Sequence, residues 1–373
     1  MSLVKKILGV VLVLVVLAVL SLALVVSHDS PCGPSPALAS GTPAMKAAVH
    51  RCYGSAEVIT LEDIAKPTVN DDEVLVKVHA ASVNPLDWHY IRGTPYILRM
   101  EAGIGKPVNP RLGVDFAGTV EAVGKSVKSY KPGDEVFGGS TGAFAEYVSV
   151  REERAVTLKP ASLTFEQAAS IPIAGVTALQ ALRDKGQLQP GQKVLIIGAS
   201  GGVGTYAVQI AKAMGAEVTG VCSTRNVEMV RALGADHVFD YTKEDFTKSG
   251  QRYDLILDNV GNRSFADLLA FNRLLNPNGA GVLIGGGGPD AGNFIGPLAT
   301  PLKALILSPF MSHKFSMFFA DLNKKDLTQI GELMQSGKVT AVIDRRYPLT
   351  DLPAAIRYLE QGHARGKVVI DVE

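Results

Sequence analysis

The chain has 373 residues, 47% of them apolar and 6% aromatic, enough to bury a sizeable core, and the length suits two domains plus an N-terminal appendage. Lysine and arginine total 37 against 36 acidic residues, so no cationic excess is present to hold nucleic acid through counterion release. The three cysteines, Cys32, Cys52 and Cys222, make no CxxC pair, which argues against a disulfide scaffold or a cysteine-based zinc ribbon and leads one to expect isolated thiols.

The first element is an uncharged apolar run over residues 7–26, interrupted only by Gly9 and Ser21. As a helix it would span roughly 30 Å, one bilayer core. A cleaved signal peptide competes, because Ala37-Leu38-Ala39 is a small-residue cleavage pattern, but the run is longer than a signal core and that pattern lies well beyond its end. The expectation is one transmembrane helix within residues 1–27, a single-pass membrane anchor, followed by a Pro/Ser/Ala-rich flexible linker over 28–44.

From Met45 onward, short β-prone segments at 46–52, 73–80 and 117–123 are punctuated by the turn signals Asn84-Pro85 and Lys131-Pro132-Gly133-Asp134. They predict a compact, mostly antiparallel β-rich domain. Near Leu163 the pattern changes to strands at 193–197, 217–222, 255–258 and 282–284, with helices at 202–214 and 228–233. Strands alternating with helices predict a doubly wound parallel sheet, an α/β domain. Residues 292–320 are unusually apolar; they could cover a cleft, touch a bilayer, or be buried in a core or a dimer interface. The last fifty residues predict helices at 325–335 and 353–361 and a strand at 367–372.

The strand at 193–197 runs directly into Gly198-Ala199-Ser200-Gly201-Gly202-Val203-Gly204 and then into a helix. Glycines there let the backbone turn tightly and approach a pyrophosphate, whose charge meets the free N–H groups at the helix start. Ser200, Gly201, Gly202, Val203 and Gly204 are therefore candidate cofactor contacts. Where an NAD-selective site would place a carboxylate, at the end of the strand 217–222, this chain has Ser223, Thr224 and Arg225. Hydroxyls and a guanidinium can hold a 2′-phosphate, whereas a carboxylate would repel it, so NADPH is the expected cofactor. Arg225 could instead be a solvated surface arginine. Lys5 and Lys6 before the apolar run, against His28 and Asp29 after it, favour a body outside the cytoplasm, in conflict with an intracellular NADPH pool; the side of the membrane stays open.

Several segments in order resemble the medium-chain dehydrogenase/reductase superfamily, specifically its zinc-free quinone oxidoreductase-like branch, which includes reticulon-interacting mitochondrial relatives. They are Ala81-Ser82-Val83-Asn84-Pro85-Leu86-Asp87, the run from Gly113 to Gly124, Tyr130-Lys131-Pro132-Gly133-Asp134-Glu135-Val136, Gly142-Ala143-Phe144-Ala145-Glu146-Tyr147 and the loop from Ala199 to Gly204. The resemblance implies a GroES-like β-rich catalytic domain over 45–163, completed by 321–373, and a Rossmann domain over 164–320. Zinc-dependent relatives supply a thiolate where this chain has Asn84 and a His-Glu pair where it has Val114-Asp115, so no metal is expected. Without a Lewis acid, hydride delivery to a quinone or activated alkene is the expected reaction, with a zinc-free alcohol dehydrogenase or enal reductase, or a non-catalytic NADPH-binding scaffold, as rivals.

The resemblance further places Asn84, Asp87 and Tyr90 at the catalytic cleft, with His89 as the alternative to Tyr90. It adds Thr177, Tyr241, Asn259, Val260 and Lys367 as cofactor contacts, and it implies a homodimer acting on a small-molecule electron acceptor. Asn84-Pro85 is equally a plain turn signal, Asp87 equally a helix cap, and Lys367 equally a solvated lysine. If the anchor and residues 292–320 meet the same membrane, a lipophilic quinone is the acceptor that fits.

Overall fold

The apolar run forms one helix, Leu3–Ser27, in the computed structural model, which describes residues 3–289 and 291–372. Its segment Gly9–Ser27 is long and apolar enough to cross a membrane by length and composition, and its side chains are almost all exposed until Val26, which is buried against the body. The side chains of Lys5 and Lys6, which carry the charge bias, lie outside the described residues.

The expected flexible linker is tied down at its start. Ser30 donates its backbone N–H to the Gly105 carbonyl at 2.9 Å, and Asp29 pairs with Arg99 at 2.8 Å. Cys32 and Cys52 are joined in a disulfide with Cα atoms 4.6 Å apart, so the expectation of three isolated thiols fails for this pair; Cys222 is free and buried. The pairing depends on the linker running beside the first strand, Ala44–His50, which delivers Cys52 two residues past its end. Neither cysteine carries a local sign of that.

Strand Ala44–His50 pairs antiparallel with Ile59–Ala65. The main sheet of the β-rich domain is built on Glu73–Val83, an eleven-residue strand whose apolar side chains are buried along nearly its whole length. Asp115–Val123 lies antiparallel along one edge, followed by Glu135–Gly139 and Val156–Leu158. Its other edge is shared, with Tyr147–Arg151 taking residues 73–77 and the C-terminal strand Lys367–Asp371 taking residues 80–83. Ile343–Pro348 closes that edge in parallel.

The second sheet has six parallel strands in the spatial order His237–Asp240, Glu217–Cys222, Lys193–Ile197, Tyr253–Asp258, Leu275–Leu283, Lys314–Met317. This is the doubly wound order with the reversal beside Lys193–Ile197, where ligands bind in open α/β sheets. The apolar residues 292–320 supply the helix Ala299–Leu307 and the edge strand Lys314–Met317. Helices Pro172–Gln180 and Lys324–Gln335 join the two sheets: Ala174, Val176, Leu179, Leu327 and Ile330 share one buried core with Ala80, Ala117 and Phe137 of the first sheet and Val194 and Leu257 of the second.

Candidate active site and cofactor loop

Strand Glu73–Val83 ends at Asn84, where extended backbone and Pro85 start the helix Pro85–Arg92. Asp87 sits in the first turn and its Oδ2 accepts the Asn84 backbone N–H at 2.7 Å, the reciprocal half of a helix cap. Asn84 Nδ2 donates to Asp115 Oδ2 at 2.9 Å, and Asn84 Oδ1 accepts from Lys367 Nζ at 2.6 Å. Lys367 Nζ also reaches the Val83 carbonyl at 3.2 Å and Asp115 Oδ2 at 3.4 Å. Ser82 Oγ donates to the same Asp115 oxygen at 2.9 Å, while Asp115 Oδ1 takes the Ile173 N–H at 3.0 Å.

Asn84, Asp87, Asp115 and Lys367 are all buried. Burial pushes the Asp87 carboxyl up to about 7; the Asn84 N–H and Lys367 oppose that shift and Asp115 reinforces it. Burial likewise pulls the Lys367 ammonium below its usual range, opposed by Asp115 and Asp87. One cation and two carboxyls thus share a nearly dry network in which protonation of Asp87 relieves an excess of negative charge.

The two adjoining candidates on the helix diverge. His89 donates Nδ1–H to the Thr94 carbonyl at 2.7 Å, and a Cβ added at Gly286 would lie 3.6 Å from its Nε2, so His89 faces the Rossmann side of the cleft. Burial lowers its pKa, which leaves Nε2 an acceptor near neutrality. Tyr90 is half-buried and feels the Glu101 charge, so it lies toward the segment that follows the helix.

The C-terminal strand couples this network to the glycine loop. Gly366 makes a parallel bridge to Gly201 and donates its N–H to the Ser200 carbonyl at 2.9 Å. The Lys367 stem passes Gly202, where an added Cβ would meet Lys367 Cδ at 3.3 Å. Resemblance lists Lys367 among the cofactor contacts; here its stem lies on the cofactor loop and its ammonium lies on Asn84.

The loop from Gly198 to Gly204 folds as a close backbone turn. Gly198 has φ +77°, and a Cβ at Gly204 would collide with the Gly198 carbonyl oxygen at 2.1 Å, whereas one at Gly201 would meet only that oxygen, at 3.6 Å. The turn is packed from within and open on the side of Gly201, which begins the twelve-residue helix Gly202–Ala213. Flanking it are two buried acceptors that meet no donor among the described residues, Asn226 Oδ1 and Asn259 Oδ1. Asn226 Nδ2 donates to Ser200 Oγ at 3.0 Å and Ser223 Oγ at 3.2 Å, and Asn259 Nδ2 donates to the Ile197 carbonyl at 3.1 Å. An open backbone cradle at a helix start, bracketed by orphaned acceptors, fits a dinucleotide: pyrophosphate against the N–H groups, hydroxyl donors against the asparagines.

Asn226 was not among the residues singled out from sequence; its signal is its place three residues beyond Ser223. At the end of the next strand, Asp240 takes hydroxyl donation from Thr224 at 2.5 Å and Thr242 at 2.7 Å, which holds it down at about 2. Arg225 turns its guanidinium to the His363 carbonyl. Tyr241 is exposed on a shallow depression with Lys243 and Phe246, and Thr177 is buried within its helix. Val260 is exposed beside Gly198, on a turn whose Gly261 packs backbone to backbone against Gly285.

Among the described residues, no group of three or more His, Cys, Asp or Glu side chains is arranged to hold a metal ion. The family description "Alcohol dehydrogenase GroES-like domain" matches residues 70–160, and "Zinc-binding dehydrogenase" matches residues 233–370. The chain is 37% identical over 357 residues to the NAD(P)H oxidoreductase RTN4IP1, mitochondrial, of Mus musculus, covering 86% of this chain and 87% of that protein. It is 33% identical to the 2-methylene-furan-3-one reductase of Solanum lycopersicum, covering 87% and 79%. The solved quinone oxidoreductase from Coxiella burnetii superposes with a TM-score of 0.77 at 30% identity, covering 89% of this chain and all of that one.

Proposed function

The chain belongs to the medium-chain dehydrogenase/reductase superfamily, as an oxidoreductase with a nicotinamide cofactor, and we propose that it is zinc-independent and NADPH-dependent, reducing a quinone or an activated alkene. The observation that carries the zinc-independent reading is Lys367. Its ammonium occupies the space between Asn84 and Asp115, two of the positions that hold the metal ligands in zinc-dependent relatives, so a cation already fills that place. A second, divalent cation there would meet direct repulsion and a neutral carboxamide instead of a thiolate.

The cofactor supplies the hydride, and the protein supplies position and field. Gly201 and Gly202 hold the pyrophosphate, Asn226 and Asn259 accept from ribose hydroxyls, and Ser223 with Arg225 binds the 2′-phosphate. Arg225 exchanges a neutral carbonyl for a phosphate in doing so, a gain through charge assistance. Asn84 and Asp87 form the cleft floor, where Asp87 holds a proton near neutral pH. Of the two donor candidates, His89 is the one that faces the Rossmann side of the cleft, where its neutral Nε2 accepts from a donor of the bound ligands, while Tyr90 lies toward residues 96–108. The protein is a single-pass membrane protein, and its edge strand Lys314–Met317 with the exposed Leu305 and Ile306 supports a homodimer.

The test is oxidation of NADPH and of NADH by the purified full-length chain with quinones, enals and simple aldehydes, each with and without a chelator. The expected outcome is chelator-resistant reduction of quinones or enals with NADPH preferred at least tenfold, a preference that Arg225→Ala shrinks. Chelator-sensitive turnover would overturn the zinc-independent reading. Tight NADPH binding with no acceptor reduced would leave a tethered nucleotide-binding scaffold.

A further inference from the structure

Arg99 is 1% exposed although it lies in a short surface segment, residues 96–108, that follows the helix Pro85–Arg92. Its guanidinium is spent on the exit of the N-terminal helix: Nη1 donates to the Val26 and His28 carbonyls, each at 3.1 Å, and Nη2 pairs with Asp29 at 2.8 Å. Nε donates to the Gly93 carbonyl at 2.7 Å, and the group is stacked over the rings of Tyr53 and Tyr96. Ser30 adds its bond to Gly105. The anchor is therefore joined to this flap at several points within five residues of its end.

The flap turns its apolar side chains the other way. Ile97, Met100, Ile104 and Val108 are 52%, 66%, 53% and 81% exposed, whereas Arg99 between the first two is 1% exposed. Met100 adjoins the residue bonded to Val26, and Ile104 adjoins the residue bonded to Ser30. Whatever depth the helix exit takes, these side chains share it within a residue or two. Lys106, exposed between Ile104 and Val108, is the snorkelling cation that an interfacial segment carries.

The same flap walls the cleft. His89 bonds Thr94, the Tyr96 N–H donates to the Asn293 carbonyl at 2.6 Å, and the Tyr96 ring meets the edge of Phe294 at 5.1 Å. Phe294 and its neighbour Ile295 are about half exposed and extend the apolar face.

We propose that the face formed by Ile97, Met100, Ile104 and Val108, with Phe294 and Ile295 beside it, docks on the bilayer that holds the N-terminal helix and sets the cleft mouth at headgroup depth. This rests on the proposed anchor. The anchor selects the occupant: a lipid surface is the one apolar phase that the bonded exit of a membrane helix must bring to these side chains. An acceptor dissolved in the membrane then reaches the cleft without crossing water.

The test uses the full-length chain in phosphatidylcholine vesicles with brominated acyl chains, in the variants Ile104→Trp and Val108→Trp. The native Trp88 is buried and serves as the unquenched background. Resistance to carbonate extraction with at least twofold quenching of both new tryptophans, relative to unbrominated vesicles, is the expected result. Carbonate-resistant protein whose new tryptophans are unquenched overturns docking and leaves the anchor standing. Unquenched but blue-shifted emission that depends on protein density means that a second copy covers the face, which also overturns it. Release by carbonate sinks the anchor reading and this inference together.

Discussion

Asp87 keeps its proton at a pH where an ordinary aspartate has lost it, and that has a signed consequence for stability. Its pKa is 3.8 unfolded and about 7 folded, so the native state binds more protons between those values and its stability falls as pH rises through that window. His50, pulled down to about 4 by burial, works the opposite way between 4 and 6.5. The difference between Asp87→Asn and the parent isolates Asp87, because the carboxamide still offers an oxygen to the Asn84 N–H but cannot ionise. Denaturant melts from pH 5 to 8 should show the variant gaining on the parent by up to about 1.4 kcal/mol per pH unit until pH 7. Parallel curves would mean that Asp87 ionises normally. Asn84 and Asp87 came forward as site candidates through the resemblance, their local pattern alone reading as a turn and a helix cap. The position of the Lys367 ammonium was not legible, since it follows from the pairing of 367–371 with 80–83, and nothing near Lys367 in sequence encodes that partner.

The glycine loop shows what an element can reveal in sequence and what it cannot. Strand, glycines and helix all appear locally, so the strand–turn–helix unit was readable before any tertiary contact was known. The strands His237–Asp240 and Lys314–Met317 were not: His-Val-Phe-Asp has no two-residue alternation, and Lys-Phe-Ser-Met alternates over only four residues, running into the apolar pair Phe318-Phe319. The helix Phe265–Leu274 was likewise missed, although Ser264 and Asp267 form its capping box. Within the loop the glycines divide by role. Gly204→Ala puts a methyl into the Gly198 carbonyl, which backbone cannot easily yield, and should cost roughly 1–3 kcal/mol of stability as overpacking does. Gly201→Ala places its methyl in open space on the side offered to the pyrophosphate. It should leave the melting temperature within a degree or two and weaken NADPH binding at least tenfold by titration calorimetry. Equal loss of stability in both variants would show that Gly201 is structural.

At the scale of the whole molecule, the disulfide and the charge pattern bear on the same question. Cys32 lies five residues past the N-terminal helix and Cys52 just beyond the first strand of the β-rich domain, so their bond fastens the body to that helix beside the Arg99 contacts. A disulfide needs an oxidising compartment, and, with the N-terminal helix as the proposed anchor, the lysines ahead of it favour the same side for the body. If the proposed anchor holds, both arguments favour a body outside the reducing cytoplasm, and the supply of the nicotinamide cofactor, not the fold, becomes the constraint on where it works. Closing a loop of about twenty residues should stabilise the native state by about 3 kcal/mol. Alkylation of native membranes should therefore leave Cys32 and Cys52 unlabelled until a reductant is added. Cys222 should stay unlabelled until the protein unfolds, because it is buried and its thiol is pushed up to about 11. The reductant should also lower the melting temperature by several degrees, and Cys32→Ser should reproduce that drop. Labelling of Cys32 without reductant would mean that the thiols stay reduced, and would leave the Arg99 contacts and the Ser30–Gly105 hydrogen bond to hold the helix exit.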